Sequence, residues 1–260
     1  MNKTKQHVSF SELKQWNDCP FKHKLMYLDD LKLFKGNEFT AFGKAIHDTC
    51  EKSLHEPEKE AEFRLFFKIN FLSELKALKE DGIELDKNLV EAMKAQGTEL
   101  SVLPLPALKE HFGEYEVIST EEMLYEDIEG HDYKFKGYID AVIKTSDGKY
   151  HIIDWKTCSW GWDMRKKTDK MITYQLTYYK HFFAKKHGID LKNIETHFAL
   201  LKRTAKKNKV EIFRVTSGPK KIKNSLDLLN MALYNINNKK YIKNKLSCRN
   251  CEYYKTSHCP

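Results

Sequence analysis

Apolar and polar residues change period several times along this chain, and each change marks an element. Tyr133, Phe135, Gly137 and Ile139 alternate with polar Lys134 and Lys136, which predicts a half-buried strand. Tyr150, Ile152 and Ile153 form a short apolar run that predicts a second strand. Ser146-Asp147-Gly148 between them is a hairpin signal, because Gly supplies the positive φ that a tight turn needs. Residues 116–126 predict an earlier strand, with Glu129-Gly130 as the turn that follows it. Residues 194–201 and 209–215 predict two later strands, joined by the basic loop from Lys202 to Asn208.

Helical spacing fills most of the remainder. Ser9-Phe10-Ser11-Glu12 fits a capping box, with Ser9 as N-cap and Glu12 reaching back, and Leu13 and Trp16 begin a buried face. Pro20 interrupts that helix, and Phe21, Leu25 and Leu28 resume its spacing. Phe39, Phe42, Ile46, Cys50 and Leu54 share the apolar side of a helix over residues 38–54. Residues 57–112 read as a helical insertion, with one stripe at Phe63, Phe66, Phe67 and Phe71 and another at Leu89, Met93 and Leu100, broken at Pro104 and Pro106. A helix over residues 171–187 stops at Gly188. Ser217, with Pro219 in the first turn, opens a last long helix that turns Ile222, Leu226, Leu229, Leu233 and Ile236 inward. Strands interleaved with helices make this an α/β chain.

Composition narrows the partner more than the fold. A hydrophobic content of 41% with 15 Phe and 13 Tyr argues a folded core, and 260 residues are ample for one large domain. The net charge of +8 suits a polyanionic partner. Nearly all of that charge is Lys, since Arg occurs only at 64, 165, 203, 214 and 249. Lys makes point contacts to phosphate rather than bidentate contacts to bases, so weak sequence specificity is expected. No apolar run is long enough for a membrane span, residues 1–6 lack the apolar core of a signal peptide, and a cytoplasmic location is expected. Its 6 Cys are then reduced or metal-bound rather than disulfide-linked.

The chemistry concentrates between residues 137 and 156. The two hairpin strands end in Asp140 and Asp154, side by side, and Lys156 follows on the same side of its strand as Asp154. Two carboxylates at the lip of a sheet are costly unless compensated, and a divalent cation compensates them. Taken alone, Asp154-Trp155-Lys156 is an ordinary ion pair at a strand end.

The order G-x-x-D, hairpin, apolar run into D-x-K, then a helix with Gln175-x-x-x-Tyr179 resembles the PD-(D/E)XK nuclease superfamily. The nearest likeness is its RecB-type domain, found in CRISPR-adaptation nucleases and in the AddB subunit of a helicase-nuclease. The opening Ser-Glu-Leu-x-x-Trp-x-x-Cys-Pro-Phe from Ser11 to Phe21 is similar to the start of such domains. Ile139 stands where the superfamily's name has Pro. The resemblance implies a restriction-endonuclease-like core, a mixed central sheet flanked by helices. It implies metal-dependent hydrolysis of DNA, single-stranded or at duplex ends, most simply as an exonuclease in recombination, repair or phage DNA processing. The cell would be prokaryotic, or a phage-infected host, with a helicase or recombination protein as partner. Asp140, Asp154 and the Trp155 carbonyl would hold Mg²⁺ or Mn²⁺. His47, in Gly43-x-x-x-His47, would be a further ligand, where on its own it reads as a half-exposed His on an amphipathic helix. Lys156 would be catalytic, and Gln175 and Tyr179 would orient the DNA or the Lys. An acid on the preceding strand, Glu121 or Glu122, is a possible helper outside this core set.

The tail carries Cys248-x-x-Cys251 and Cys259, enough to reach one metal from a small loop. By resemblance to cluster-bearing nucleases, Cys19 would complete a [4Fe-4S] site that pairs residues 246–260 with the N-terminal region. Zinc is the alternative, because His258 offers a nitrogen and the seven residues between Cys251 and Cys259 exceed the family's usual spacing. Free thiols are the third reading. Cys50 and Cys158 read as small buried residues. The functional alternative is a catalytically silent nucleic-acid-binding module on a nuclease-like fold. No phosphate-binding G-x-x-x-x-G-K-[ST] motif is present, so unwinding would need a partner.

Overall fold

The computed structural model describes residues 6–260, and the polar residues 1–5 that bear on the signal-peptide expectation lie outside them. A short strand, β1 (His7–Ser9), leads into α1 (Phe10–Asp18), α2 (Pro20–His23) and a π-helical turn at Lys24–Leu28. Ser9 caps α1 by accepting the Glu12 amide at 3.2 Å, as the capping box predicts. The Glu12 carboxylate itself meets His23 Nε2 at 2.8 Å, a buried pair that ties α1 to α2 across the Pro20 break. Helices α3 (Glu38–His55), α4 (Glu60–Glu80), α5 (Lys87–Leu100) and α6 (Pro104–Phe112) follow. Pro104 opens α6 rather than ending a helix, since a first-turn residue needs no amide donor.

Strands β2 (Tyr115–Asp127), β3 (Lys134–Thr145) and β4 (Tyr150–Cys158) come next, then α7 (Met164–Thr168) and α8 (Lys170–His187). The chain continues through β5 (Ile194–Lys202), β6 (Val210–Arg214) and α9 (Pro219–Asn237) to a 3₁₀ turn at Lys245–Asn250. The cap of α9 is Gly218, not Ser217; Ser217 is buried and shares a hydrogen bond with Thr177 at 2.9 Å.

The six strands form one mixed sheet. β2 pairs with β3 antiparallel along nearly its whole length. The other edge of β3 is shared: β1 takes Lys134–Lys136 in parallel, and β4 takes 141–144 antiparallel. Residues 137–140 lie outside both ladders. Beyond Ile153, β4 leaves β3 and continues with β5 in parallel, and β6 closes that edge antiparallel. The sheet therefore forks where Asp140 and Asp154 stand.

Apolar layers cover both faces. Phe10, Leu13, Phe182, Phe183, Leu229 and Leu233 from α1, α8 and α9 pack on one, with Phe135 and Phe182 stacked at 4.4 Å. Phe42, Ile46, Phe67, Phe71, Met93 and Leu108 from α3 to α6 pack on the other. Phe39 departs from its predicted inward position. It is half exposed and lies under the Arg203 guanidinium at 5.4 Å, which uses the ring face without burying it. Among the described residues no helix is long and apolar enough to cross a membrane.

The helical layer depends on one glycine. A Cβ on Gly97 of α5 would fall 2.0 Å from Phe67 Cζ on α4, so only a bare Cα lets the two helices approach. Gly97→Ala should lower stability by about 1–3 kcal/mol in denaturant unfolding, and adding Phe67→Leu should recover part of the loss. No recovery in the double variant would place the cost elsewhere.

Candidate active site

The fork explains why charged residues occupy the middle of a sheet. The expectation of acids at strand ends is corrected by the register: Asp140 and Asp154 lie within β3 and β4, one step past the last paired residues, Ala141 and Ile153. There Asp140 Oδ2 accepts the Trp155 amide at 2.7 Å, so a carboxylate links the two strands just past their last rung. His47, reaching in from α3, brings Nδ1 to 3.4 Å from the same oxygen. Asp154 is 1% exposed; Lys156 Nζ makes an ion pair with its Oδ2 at 2.6 Å, yet neither carboxylate oxygen accepts a well-formed hydrogen bond.

Charge crowding shapes the protonation states. Burial, then the charge of Asp154, pushes the Asp140 carboxyl well above the usual range. Burial alone would lower Lys156, but Asp154 and Asp140 outweigh it and hold the ammonium charged. His47 is lowered by burial and then by Lys156, against the pull of Asp154, Glu121 and the Trp155 backbone. An imidazole kept neutral and a buried carboxylate whose Oδ1 has no hydrogen-bond partner are what a cation requires of its ligands. By type these donors suit a hard divalent ion, with the imidazole shifting preference toward Mn²⁺, although the ligand atoms of His47, Asp140 and Asp154 do not all lie within 4.8 Å of one another and would have to close on it.

An open cleft of about 510 Å³ leads to Asp140, lined also by Gly43, His47, Asp48, Glu51 and Glu121. Gly43 shares the cleft wall with His47, one turn away, and a Cβ there would meet Thr157 Oγ1 at an ordinary 3.5 Å. Its bare Cα widens the cleft rather than relieving a clash. Glu121, left outside the core set by sequence reasoning, belongs to the site. It has φ of 45°, in the left-handed region that a Glu rarely adopts, within a strand whose register shifts between Val117 and Ser119. Loss of solvent, then Asp140 and Glu51, pushes its carboxyl up to about 7. Glu122 faces away, bound to Lys186 at 2.7 Å and to His187 at 2.6 Å.

Gln175 and Tyr179 meet as their spacing predicts, with Gln175 Nε2 donating to the Tyr179 hydroxyl at 3.1 Å. Burial, then Asp154, raises the Tyr179 hydroxyl so that it stays protonated. The Tyr179 ring lies against Gly137, where a Cβ would come within 2.9 Å of Cε1. The G-x-x-D spacing thus has a steric cause: Gly137 admits the ring of α8 beside the segment ending in Asp140, which is paired with β2 on one edge only.

In a separate cavity of about 370 Å³, Cys19, Cys248, Cys251 and Cys259 share the lining with Lys22, Lys243 and Lys255. Cys19 Sγ accepts the Asn244 amide at 3.4 Å. His258 is exposed and does not line the cavity. Cys50 is buried in the α3 layer and Cys158 is half-buried in β4.

Comparison with known proteins identifies the family and the fold. Residues 7–259 match the family model of the PD-(D/E)XK nuclease superfamily. The crystal structure of a "Putative exonuclease" from Eubacterium rectale superposes with a TM-score of 0.60 at 14% identity, covering 95% of this chain and 86% of that one. That of a protein named SSO0001 gives 0.44 at 13% identity, covering 97% and 86%. No curated protein matches in sequence.

Glu121 is pushed up to about 7 and Asp140 is raised, so a cation held by both would displace protons from them. Protonated carboxyls do not ligate, so apparent affinity for Mn²⁺ should fall as pH drops from about 8 to about 6. Calorimetry in buffers of different ionisation enthalpy should show proton release, and Glu121→Gln should flatten the pH dependence. A pH-independent affinity in the unaltered protein would contradict this assignment.

Proposed function

The chain belongs to the PD-(D/E)XK nuclease superfamily, and from that premise we propose that it is a metal-dependent deoxyribonuclease that works as an exonuclease. The observation that carries the reading is the convergence of His47, Asp140, Asp154 and Lys156 from α3, β3 and β4 on one fork of the sheet. His47, Asp140, Asp154 and the Trp155 carbonyl would hold Mg²⁺ or Mn²⁺, with Glu121 as a further ligand at the rim. Such an ion supplies Lewis-acid activation of water and neutralises charge on the scissile phosphate.

The chain's own residues do the rest. Lys156, held charged, orients the attacking water and offsets the negative charge that builds on the phosphate. Tyr179, fixed by Gln175 and wedged on Gly137, sets the position of the β3 segment that carries Asp140. A cleft with Lys167, Lys170, Arg214, Lys220 and Lys221 and no acid in its lining suits a phosphodiester backbone. The exonuclease assignment draws on the name of the Eubacterium rectale neighbour.

We further read the four-Cys cavity as a [4Fe-4S] site of the RecB type. Among the described residues no three Cys sulfurs lie within 4.8 Å of one another, whereas a single tetrahedral zinc needs its sulfurs about 3.8 Å apart. The sulfurs ring a larger space, lysines offset thiolate charge, and His258 stands outside. As purified without oxygen, the protein should be brown and carry iron and sulfide, and Cys248→Ser should lose both. Zinc without iron would overturn this reading.

With end-labelled DNA and Mn²⁺, Asp154→Asn and Lys156→Ala should each lose about a hundredfold or more in cleavage while still binding DNA. Gly137→Ala should cost on the order of a hundredfold by moving Tyr179, and Tyr179→Phe, which keeps the packing, much less. Full cleavage by Asp154→Asn would overturn the site, and no cleavage by the unaltered protein would leave a silent binding module.

A further inference from the structure

A second constellation of ligand atoms stands away from the fork, in the part of the sheet where β4 and β5 begin. β4 and β5 run parallel, with His151 opposite Glu195, and His197 follows two residues on along β5. His151 Nδ1 lies 3.1 Å from His197 Nε2, and each is 4.0 Å from Glu195 Oε2. Among the described residues this is the only group of three His, Cys, Asp or Glu whose ligand atoms all lie within 4.8 Å. Tetrahedral zinc with bonds of about 2.0–2.1 Å places its ligand atoms about 3.3 Å apart. The three atoms need move by only tenths of an ångström to reach that spacing.

The surroundings orient these atoms for a cation. Thr145 Oγ1 donates to Asp147 Oδ1 at 2.5 Å, and so it accepts from His151 Nε2 at 3.0 Å. A proton on His151 Nε2 satisfies this contact and leaves Nδ1 as the acceptor facing His197 Nε2, whose proton a cation between the rings would displace. An imidazole whose outer nitrogen donates to a relay ending in a carboxylate is the usual partner of a ligating ring. Lys149 and Arg214 both hold Glu195 Oε1, at 3.3 and 3.2 Å, which leaves Oε2 as the oxygen turned to the rings. Both imidazoles are buried, and the Phe112 ring packs on each, at 4.8 and 5.0 Å. His197 Nδ1 has no hydrogen-bond partner and is itself buried.

We propose that His151, Glu195 and His197 form a structural site for a borderline divalent ion, zinc foremost, that pins β4 to β5 under α6. Two nitrogens and one oxygen favour zinc over Mg²⁺, so the site differs in metal from the fork. Neither function nor folding at the fork is required for it to bind.

Equilibrium dialysis against Zn²⁺ with excess Mg²⁺, followed by metal analysis, tests this on the full chain. The unaltered protein should retain one zinc more per chain than either Glu195→Gln or His197→Gln, and zinc should raise its melting temperature but not theirs. Equal zinc content in all three would overturn the proposal and leave the imidazoles simply hydrogen-bonded. Circular dichroism checks that the variants fold. If they do not, imidazole ¹⁵N resonances of the unaltered protein decide. Zinc should shift Nδ1 of His151 and Nε2 of His197, and unmoved resonances would overturn the site.

Discussion

The shared edge of β3 is the constraint on which the rest of this molecule depends. β1 occupies its first residues and β4 its last, and neither reaches the segment from Gly137 to Asp140. Backbone groups left out of a ladder must find other partners, and here the Asp140 carboxylate binds the Trp155 amide just past the last rung. Past the split, Asp154 and Lys156 keep their backbone pairing only on the β5 side. A functional site thus arises where the sheet's own hydrogen bonding stops.

Electrostatics makes that arrangement expensive without a cation. Two carboxylates, one almost wholly buried, share a site with one ammonium, and a third acid stands at the rim. Three acids against one ammonium leave two negative charges uncompensated, and the protein alone offers protonation of Asp140 and Glu121 as the remedy. A divalent ion would offer another, which is the ground for the proposed metal site. The positive φ of Glu121 fits the same logic, because a backbone cost persists only where the surrounding fold enforces it.

Much of this was legible in sequence because its signals are local. Strand alternation around Phe135, the Gly148 turn and the Gln175–Tyr179 spacing each report short-range geometry, and each stands where its period placed it. What escaped depends on tertiary placement. Nothing in the residue order marks Glu121 rather than Glu122 as the acid of the cleft, since the pairing register of β2 on β3 decides which side chain stands opposite Asp140. Phe39 shares a helical face with Phe42, yet ends half exposed beneath Arg203, a neighbour from a distant loop. His151 and His197 are separated by 46 positions, and only the parallel register of β4 and β5 brings them together. An alternating Glu195-x-His197 was the one local hint of that group.

The central claim is that a single cation position lies between His47, Asp140 and Asp154 at the fork. Anomalous scattering from crystals soaked in Mn²⁺, collected at the manganese edge, tests it most directly. The account predicts a peak within bonding distance of His47 and both carboxylates. A peak elsewhere, in protein that still cleaves DNA with Mn²⁺, would contradict it.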